Sequence, residues 1–104
     1  MKRYEVNISE IAQEDLKGIF DYITDVLYAP KAAKELLEEM KKSILSLETM
    51  PERQPVVSDE YLSLKGIRKL EVRNYIVFYT VNTQHQTVNI LRILFMRREW
   101  KGLL

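Results

Sequence analysis

Tyr75-Ile76-Val77-Phe78-Tyr79 and Ile90-Leu91-Arg92-Ile93-Leu94-Phe95-Met96 decide the fold, because both segments are apolar at nearly every position. A strand with one wet face alternates polar and apolar residues, whereas a strand that is apolar throughout must be shielded on both faces. Before the first of these segments lies Ile67 to Val72, set off by Arg73-Asn74; between the two lies the polar run Asn82-Thr83-Gln84-His85-Gln86. Three segments rich in β-branched and aromatic residues, Ile67–Val72, Tyr75–Val81 and Thr87–Met96, with links this short, predict a three-stranded antiparallel meander.

Upstream of the meander the period changes. Tyr4, Val6 and Ile8 alternate with Arg3, Glu5 and Asn7, the pattern of a half-buried N-terminal strand. Ser9 then stands as a helix N-cap, with Glu10, Glu14 and Asp15 near the positive end of the helix dipole. Ala12, Leu16, Ile19, Ile23 and Val26 recur at helical spacing to about Leu27, and Pro30 both breaks that helix and opens a second. Ala33, Leu36, Leu37, Met40, Ile44 and Leu47 form the second apolar stripe, which Pro51 ends. So short a joint predicts an antiparallel helical hairpin. Residues 51–66 hold Pro51, Pro55 and Gly66 without a sustained period and read as a surface loop. The expected fold is α+β, one domain over residues 1–104: N-terminal strand, long antiparallel helical hairpin, three-stranded antiparallel meander, helices packed on one face of the sheet.

One hairpin covers one sheet face. If Val77, Tyr79, Leu91, Ile93 and Phe95 meet the helices, Ile76, Phe78, Leu94 and Met96 point the other way beside Arg92 and Arg98. The expectation is an exposed apolar patch rimmed with positive charge, a partner surface; the competing expectation is that Trp100 to Leu104 fold back over it. Arg92 is a lone charge among Ile90, Leu91, Ile93 and Leu94, with no acid near it in sequence, and it stands out as a contact residue.

Charge sharpens the picture. The formal net charge of +1 conceals a split: residues 1–62 carry 8 Lys/Arg against 13 Asp/Glu, and residues 63–104 carry 8 against 2. The second part is a basic surface on an acidic scaffold. With no cysteine and the single histidine His85 in a polar link, thiolate-bound zinc or iron–sulfur sites are excluded, and no metal or other cofactor is expected. No apolar run nears the roughly 20 residues of a membrane span, and Met1-Lys2-Arg3-Tyr4-Glu5 lacks the apolar stretch of a secretory signal. A cytoplasmic protein is expected.

The order of elements, with Gly66-Ile67-Arg68-Lys69-Leu70-Glu71-Val72-Arg73-Asn74-Tyr75-Ile76-Val77-Phe78-Tyr79 and Val88-Asn89-Ile90-Leu91-Arg92-Ile93-Leu94-Phe95-Met96-Arg97-Arg98-Glu99, resembles the RelE/ParE superfamily of toxins from type II toxin–antitoxin systems. The likeness covers nearly the whole chain, and Asp15-Leu16, Ile19, Tyr22-Ile23, Ala33, Ile44, Leu47 and Pro51 are similar to the ParE-like branch. It implies a growth-inhibiting toxin in a hetero-oligomer with a cognate antitoxin. RelE-like members cut messenger RNA on the ribosome; ParE-like members poison DNA gyrase.

For a RelE-like nuclease the resemblance implies basic residues on the first meander strand, an arginine just after the tyrosine of the Asn-Tyr step, a late arginine, and a Tyr or His near the C-terminus. Arg68, Lys69 and Arg73 match the first, and Arg98, beside Arg97, the third. The central arginine is replaced by Ile76, and the only Tyr or His after Tyr79 is His85. The departure favours ParE-like inhibition of DNA gyrase. The alternative is a ribosome-dependent endoribonuclease in which Lys69 or Arg68 is the base and Arg92 and Arg98 hold the phosphate. A third reading is a degenerate member acting only in antitoxin complex and operon repression. In either of the first two, Arg68, Arg73, Ile76, Phe78, Arg92, Leu94, Met96, Arg97, Arg98 and Trp100 are expected to bind target or antitoxin.

The charge split predicts that an acidic or amphipathic antitoxin segment is steered to the basic part of the chain, so association slows as salt rises. Reversing Arg97 and Arg98 to glutamate should lower the association rate more than reversing Glu38 and Glu39 to lysine. Stopped-flow rates that fall equally at both places would remove the polarised surface.

Overall fold

The computed structural model describes residues 3–104. Strand β1, Glu5–Ile8, is followed by helix α1, Glu10–Asp21, which runs into a π-helical turn, Tyr22–Val26. Helix α2 spans Pro30–Leu45, and a short helix α3, Glu60–Leu64, precedes β2 (Arg68–Val72), β3 (Tyr75–Asn82) and β4 (Thr87–Phe95). The meander is present as read, with β2–β3 and β3–β4 antiparallel. The N-terminal strand joins it in parallel beside β4, so the sheet order is β1-β4-β3-β2 and the sheet is mixed.

Local chemistry accounts for the element ends. Ser9 Oγ accepts from the Ala12 amide at 3.0 Å as an N-cap and donates to the Leu91 carbonyl at 3.0 Å, which fastens the start of α1 to the sheet. Pro30 occupies the first turn of α2, where its missing N–H costs nothing. Asp59 caps α3 by accepting from the Leu62 amide at 3.0 Å. Arg73, in the β2–β3 turn, has φ 53° and pairs with Glu39 of α2, tying the turn to the hairpin.

The first core lies between the helices and the sheet. Ala12, Ile23, Ala33, Leu36, Met40, Ile44 and Leu47 pack on Leu70, Val72, Val77, Tyr79, Val88, Ile90 and Ile93. Tyr79 is fully buried, and its hydroxyl donates to the Pro51 carbonyl at 2.6 Å. A second core fills the opposite face. Ile76, Phe78 and Leu94 are 5%, 0% and 2% exposed, buried with Val57, Leu62 and Ile67 while Leu91, Met96, Trp100, Leu103 and Leu104 pack against them.

Two sequence readings are corrected here. The expected open patch of Ile76, Phe78 and Leu94 is internal, and the segment read as a surface loop supplies half of its cover. Val57, Leu62 and Ile67 are spaced five apart, which fits neither strand nor helix periodicity, so a buried brace looks like a loop in sequence. Arg68 holds this brace, donating to the carbonyls of Gln54 at 2.6 Å and Glu52 at 3.1 Å.

A bulge in β4 is the third departure. Phe78 stands opposite Arg92 but Tyr79 stands opposite Ile90, so Leu91 is an extra residue. The inward phase therefore changes from Val88 and Ile90 to Ile93, and Leu91 joins the second core instead of meeting the helices. Beyond Ile90 the strand has also lost β1 as a neighbour. The Asp15 carboxylate takes over there, accepting from the Ile93 amide at 3.0 Å and from Arg92 Nε and Nη2 at 2.8 and 2.9 Å.

Both groups of the Arg92–Asp15 pair are largely out of water, with side chains 17% and 13% exposed. Arg92→Ala would leave a carboxylate half-desolvated and is expected to cost roughly 3 kcal/mol in urea unfolding. Loss of toxicity with an unchanged midpoint would show a contact role instead. Tyr79 gives a second expectation, since burial, only partly offset by Arg68 and Arg53, raises its pKa above the ordinary 10.0. A raised folded-state value means that this stability is complete below about pH 10 and is lost as pH climbs through the folded pKa. Tyr79→Phe should flatten the alkaline decline while costing about 1–3 kcal/mol at neutral pH for the orphaned Pro51 carbonyl.

Candidate functional site

The residues singled out in sequence fall into three places. Lys69, Phe78 and Arg92 form one cross-strand row on the sheet face away from the helical hairpin, and Glu71, Ile76 and Leu94 form the next. Cross-strand partners share a face, so this is the face where a RelE-like nuclease would need its charges. Here its centre is apolar and roofed. The Trp100 ring lies over Phe78 with centroids 4.9 Å apart, and Leu103 and Leu104 pack beside it. Two polar ties hold this roof: Arg92 Nη1 donates to the Leu103 carbonyl at 3.4 Å, and Lys101 pairs with Asp59 at 3.5 Å.

Arg92 is therefore neither outward nor unpaired. Its partner, Asp15, lies 77 residues away in sequence, and those hydrogen bonds, more than the opposing effect of burial, raise its pKa above that of an ordinary arginine. Its guanidinium is engaged by Asp15 and by the Leu103 carbonyl of the tail. Arg68 is likewise engaged, with Glu52 and Gln54, and Arg73 with Glu39. Lys69 is half-buried at the rim of the row.

Arg97 and Arg98 are different. Both are exposed just beyond β4 and make no ion pair among the described residues. Arg98 stands at the mouth of a groove of about 810 Å³ that opens between the hairpin and the end of the sheet. Ile19, Tyr22, Leu27 and Leu36 line one wall and Tyr75, Ile93 and Phe95 the other. Sequence reading missed this groove, which lies next to the π-helical turn and the hairpin joint. Of the residues around the hairpin joint, Tyr22 and Leu27 line it and are about half exposed. Burial, with Tyr22 adding to it, raises the Tyr75 pKa, so this phenol in the groove wall stays neutral.

His85 is exposed in the β3–β4 turn, where its amide donates to Asn82 Oδ1. Among the described residues, no group of three or more His, Cys, Asp or Glu side chains could hold a metal ion. Among the described residues, no helix is long and apolar enough to cross a membrane. Around the groove the surface offers apolar contact area next to Arg97 and Arg98.

The family model described as the ParE toxin of the type II toxin–antitoxin system parDE matches residues 6–100. No curated protein matches the sequence significantly. Among solved structures, the chromosomal ParDE system of P. aeruginosa is similar at TM-score 0.74 and 20% identity, covering 91% of this chain and 98% of that one. The RelBE2 toxin–antitoxin complex of Mycobacterium tuberculosis follows at TM-score 0.63 and 22% identity, covering 91% and 93%. The intact E. coli RelBE complex gives TM-score 0.60 at 15% identity, covering 91% and 99%. The identities support a shared fold, while the model match spans nearly all of the chain. The chain belongs to the ParE toxin family of type II toxin–antitoxin systems.

Proposed function

We propose that this toxin arrests growth in the cytoplasm by binding DNA gyrase, and that it does not cut messenger RNA. The observation that carries the reading is the filled sheet face: Ile76, Phe78 and Leu94 lie under Trp100, where ribonucleolytic chemistry would need cations and a proton donor. Lys69 and Arg92 flank Phe78, but a base and a phosphate clamp must converge on one point in water-accessible space. An indole stands over that point. Membership of the ParE family supports the same target class, and a cognate antitoxin, encoded by the neighbouring reading frame, neutralises the protein by binding.

The buried position of Ile76 changes what a substitution there reports. An arginine at a residue 5% exposed would push a charge into the second core and unfold it before it could approach a phosphate. Lys69→Ala is the cleaner probe, since its side chain is only half-buried. Loss of a general base slows a nuclease about 10²- to 10⁴-fold, so a nuclease would become harmless. A gyrase poison with this substitution should keep its potency within about threefold. Purified toxin should inhibit gyrase supercoiling and leave ribosome-bound messages intact. Site-specific cleavage of those messages, abolished by Lys69→Ala, would overturn the proposal.

A further inference from the structure

The apolar stripe of α1 does not stop where the α-helix stops. Ala12, Leu16, Ile19 and Ile23 pack in or against the first core, and the next positions at helical spacing are Val26 and Leu27. An α-helix carried through Leu27 would keep one of them on that stripe. In the structure both are turned outward, 56% and 54% exposed, beyond a π-helical turn at Tyr22–Val26 that takes up an extra residue. The Leu27 amide donates to the Tyr22 carbonyl at 3.1 Å, and the Ala29 amide to the Ile23 carbonyl at 2.9 Å. An α-helical amide reaches back four residues; these reach past that. The period of the sequence and the register of the backbone therefore disagree by one residue.

Local costs collect at the same place. Tyr28 holds φ 51°, a left-handed conformation that bulky residues rarely adopt, and the Thr24 hydroxyl oxygen is buried without a hydrogen-bond partner. Little burial offsets them. Tyr28 is 86% exposed, and Asp25 makes no ion pair among the described residues, so no side-chain contact at either residue fixes the register. The buried Ile23 and the short joint to Pro30, which opens α2, hold it instead. Only Tyr28 and Ala29 lie between Leu27 and that proline, so any change of register has to be absorbed at Tyr28.

We propose that Tyr22–Tyr28 is a two-register switch, in which the π register of this structure exchanges with a minor α-helical register that moves Val26 into the place of Leu27 and returns Tyr28 to negative φ. The α register gains regular hydrogen bonds and an unstrained Tyr28, while the π register keeps the joint short. These terms are few and local, so the minor register is populated on the order of 1–10%. The groove senses the difference. Leu27 lines its wall and Val26 does not, so a shift of one residue withdraws the longer side chain and substitutes the shorter, branched one. The wall as described thus exists in one register only, and anything that needs Leu27 there is bound by the fraction of chains in that register.

The test is methyl relaxation dispersion by NMR on the full chain, which reads exchange between microseconds and milliseconds. Exchange is expected at Ile23, Val26 and Leu27 and absent at Val88, fully buried in the sheet. Tyr28→Gly accepts positive φ without steric cost and should lower the minor population about fivefold, whereas Tyr28→Val, β-branched, should raise it by about the same factor. Deleting the exposed Asp25 removes the extra residue and should make the α register the ground state, with Val26 and Leu27 methyl shifts equal to those of the wild-type minor state. If the deletion fails to fold, Tyr28→Val supplies the same shifts from its larger minor population. Flat profiles at Val26 and Leu27 in both the wild type and Tyr28→Val overturn the switch. So does exchange that Tyr28→Gly leaves unchanged, because the left-handed tyrosine would then have no part in it.

Discussion

The Asp15 carboxylate carries more of this structure than any other single group. Strand β4 outruns β1 at Ile90, so its next inward-phased amide, Ile93, would face the helix without a strand partner. Asp15 accepts that amide and grips Arg92 with both oxygens, and Arg92 in turn reaches the Leu103 carbonyl. One carboxylate thus joins α1, the unpaired edge of β4 and the tail that roofs the far face. Charge-assisted hydrogen bonds out of water are stronger than their surface counterparts, and this pair sits where the sheet would otherwise fray.

The bulge at Leu91 makes that node possible. Without the extra residue, β4 would keep its earlier phase, Arg92 would alternate with Leu91 across the sheet, and Ile93 would leave the first core. With it, an isoleucine returns to the helix-facing core and an arginine is delivered to the row beyond Phe78, where its guanidinium can reach round the edge to Asp15. A local irregularity in one strand thus links two cores that lie on opposite faces of the sheet. Removing the node should loosen the edge and the tail together, because Arg92 is the atom chain between them.

Strand and helix identities were legible because their periods were unbroken: the alternation at Tyr4, Val6 and Ile8, the stripe from Ala33 to Leu47, and the apolar runs at Tyr75 and Ile90. The same runs stated that both faces would be covered. What covered the second face could not be read, because Val57, Leu62 and Ile67 follow no period and Trp100, Leu103 and Leu104 are too few to show one. Arg92 was picked out as unusual, and its place among isoleucines and leucines was the reason. Its partner was hidden because Asp15 sits in the first turns of α1, where an acid already has a sufficient local explanation in the helix dipole. Arg97 and Arg98 were expected to contact target or antitoxin from the far sheet face, whereas they are exposed beyond β4 with Arg98 lining the groove at the hairpin end, next to a π-helical turn that no pattern in the sequence announces.

These observations change the physical role that a partner must have. An apolar sheet face left open would make the antitoxin a missing layer of the fold, needed before the toxin could be stable. Here the brace at 51–66 and the tail complete that layer from within the chain, and Arg68 and Arg92 beside it are tied to acids or carbonyls. A partner therefore gains nothing by supplying core. Its free energy has to come from surfaces that folding leaves unsatisfied, and these are concentrated at the hairpin end, where apolar side chains stand exposed beside uncompensated arginines. A protein built this way folds first and is recognised afterwards, so neutralisation is a matter of which surface is blocked rather than whether the structure forms.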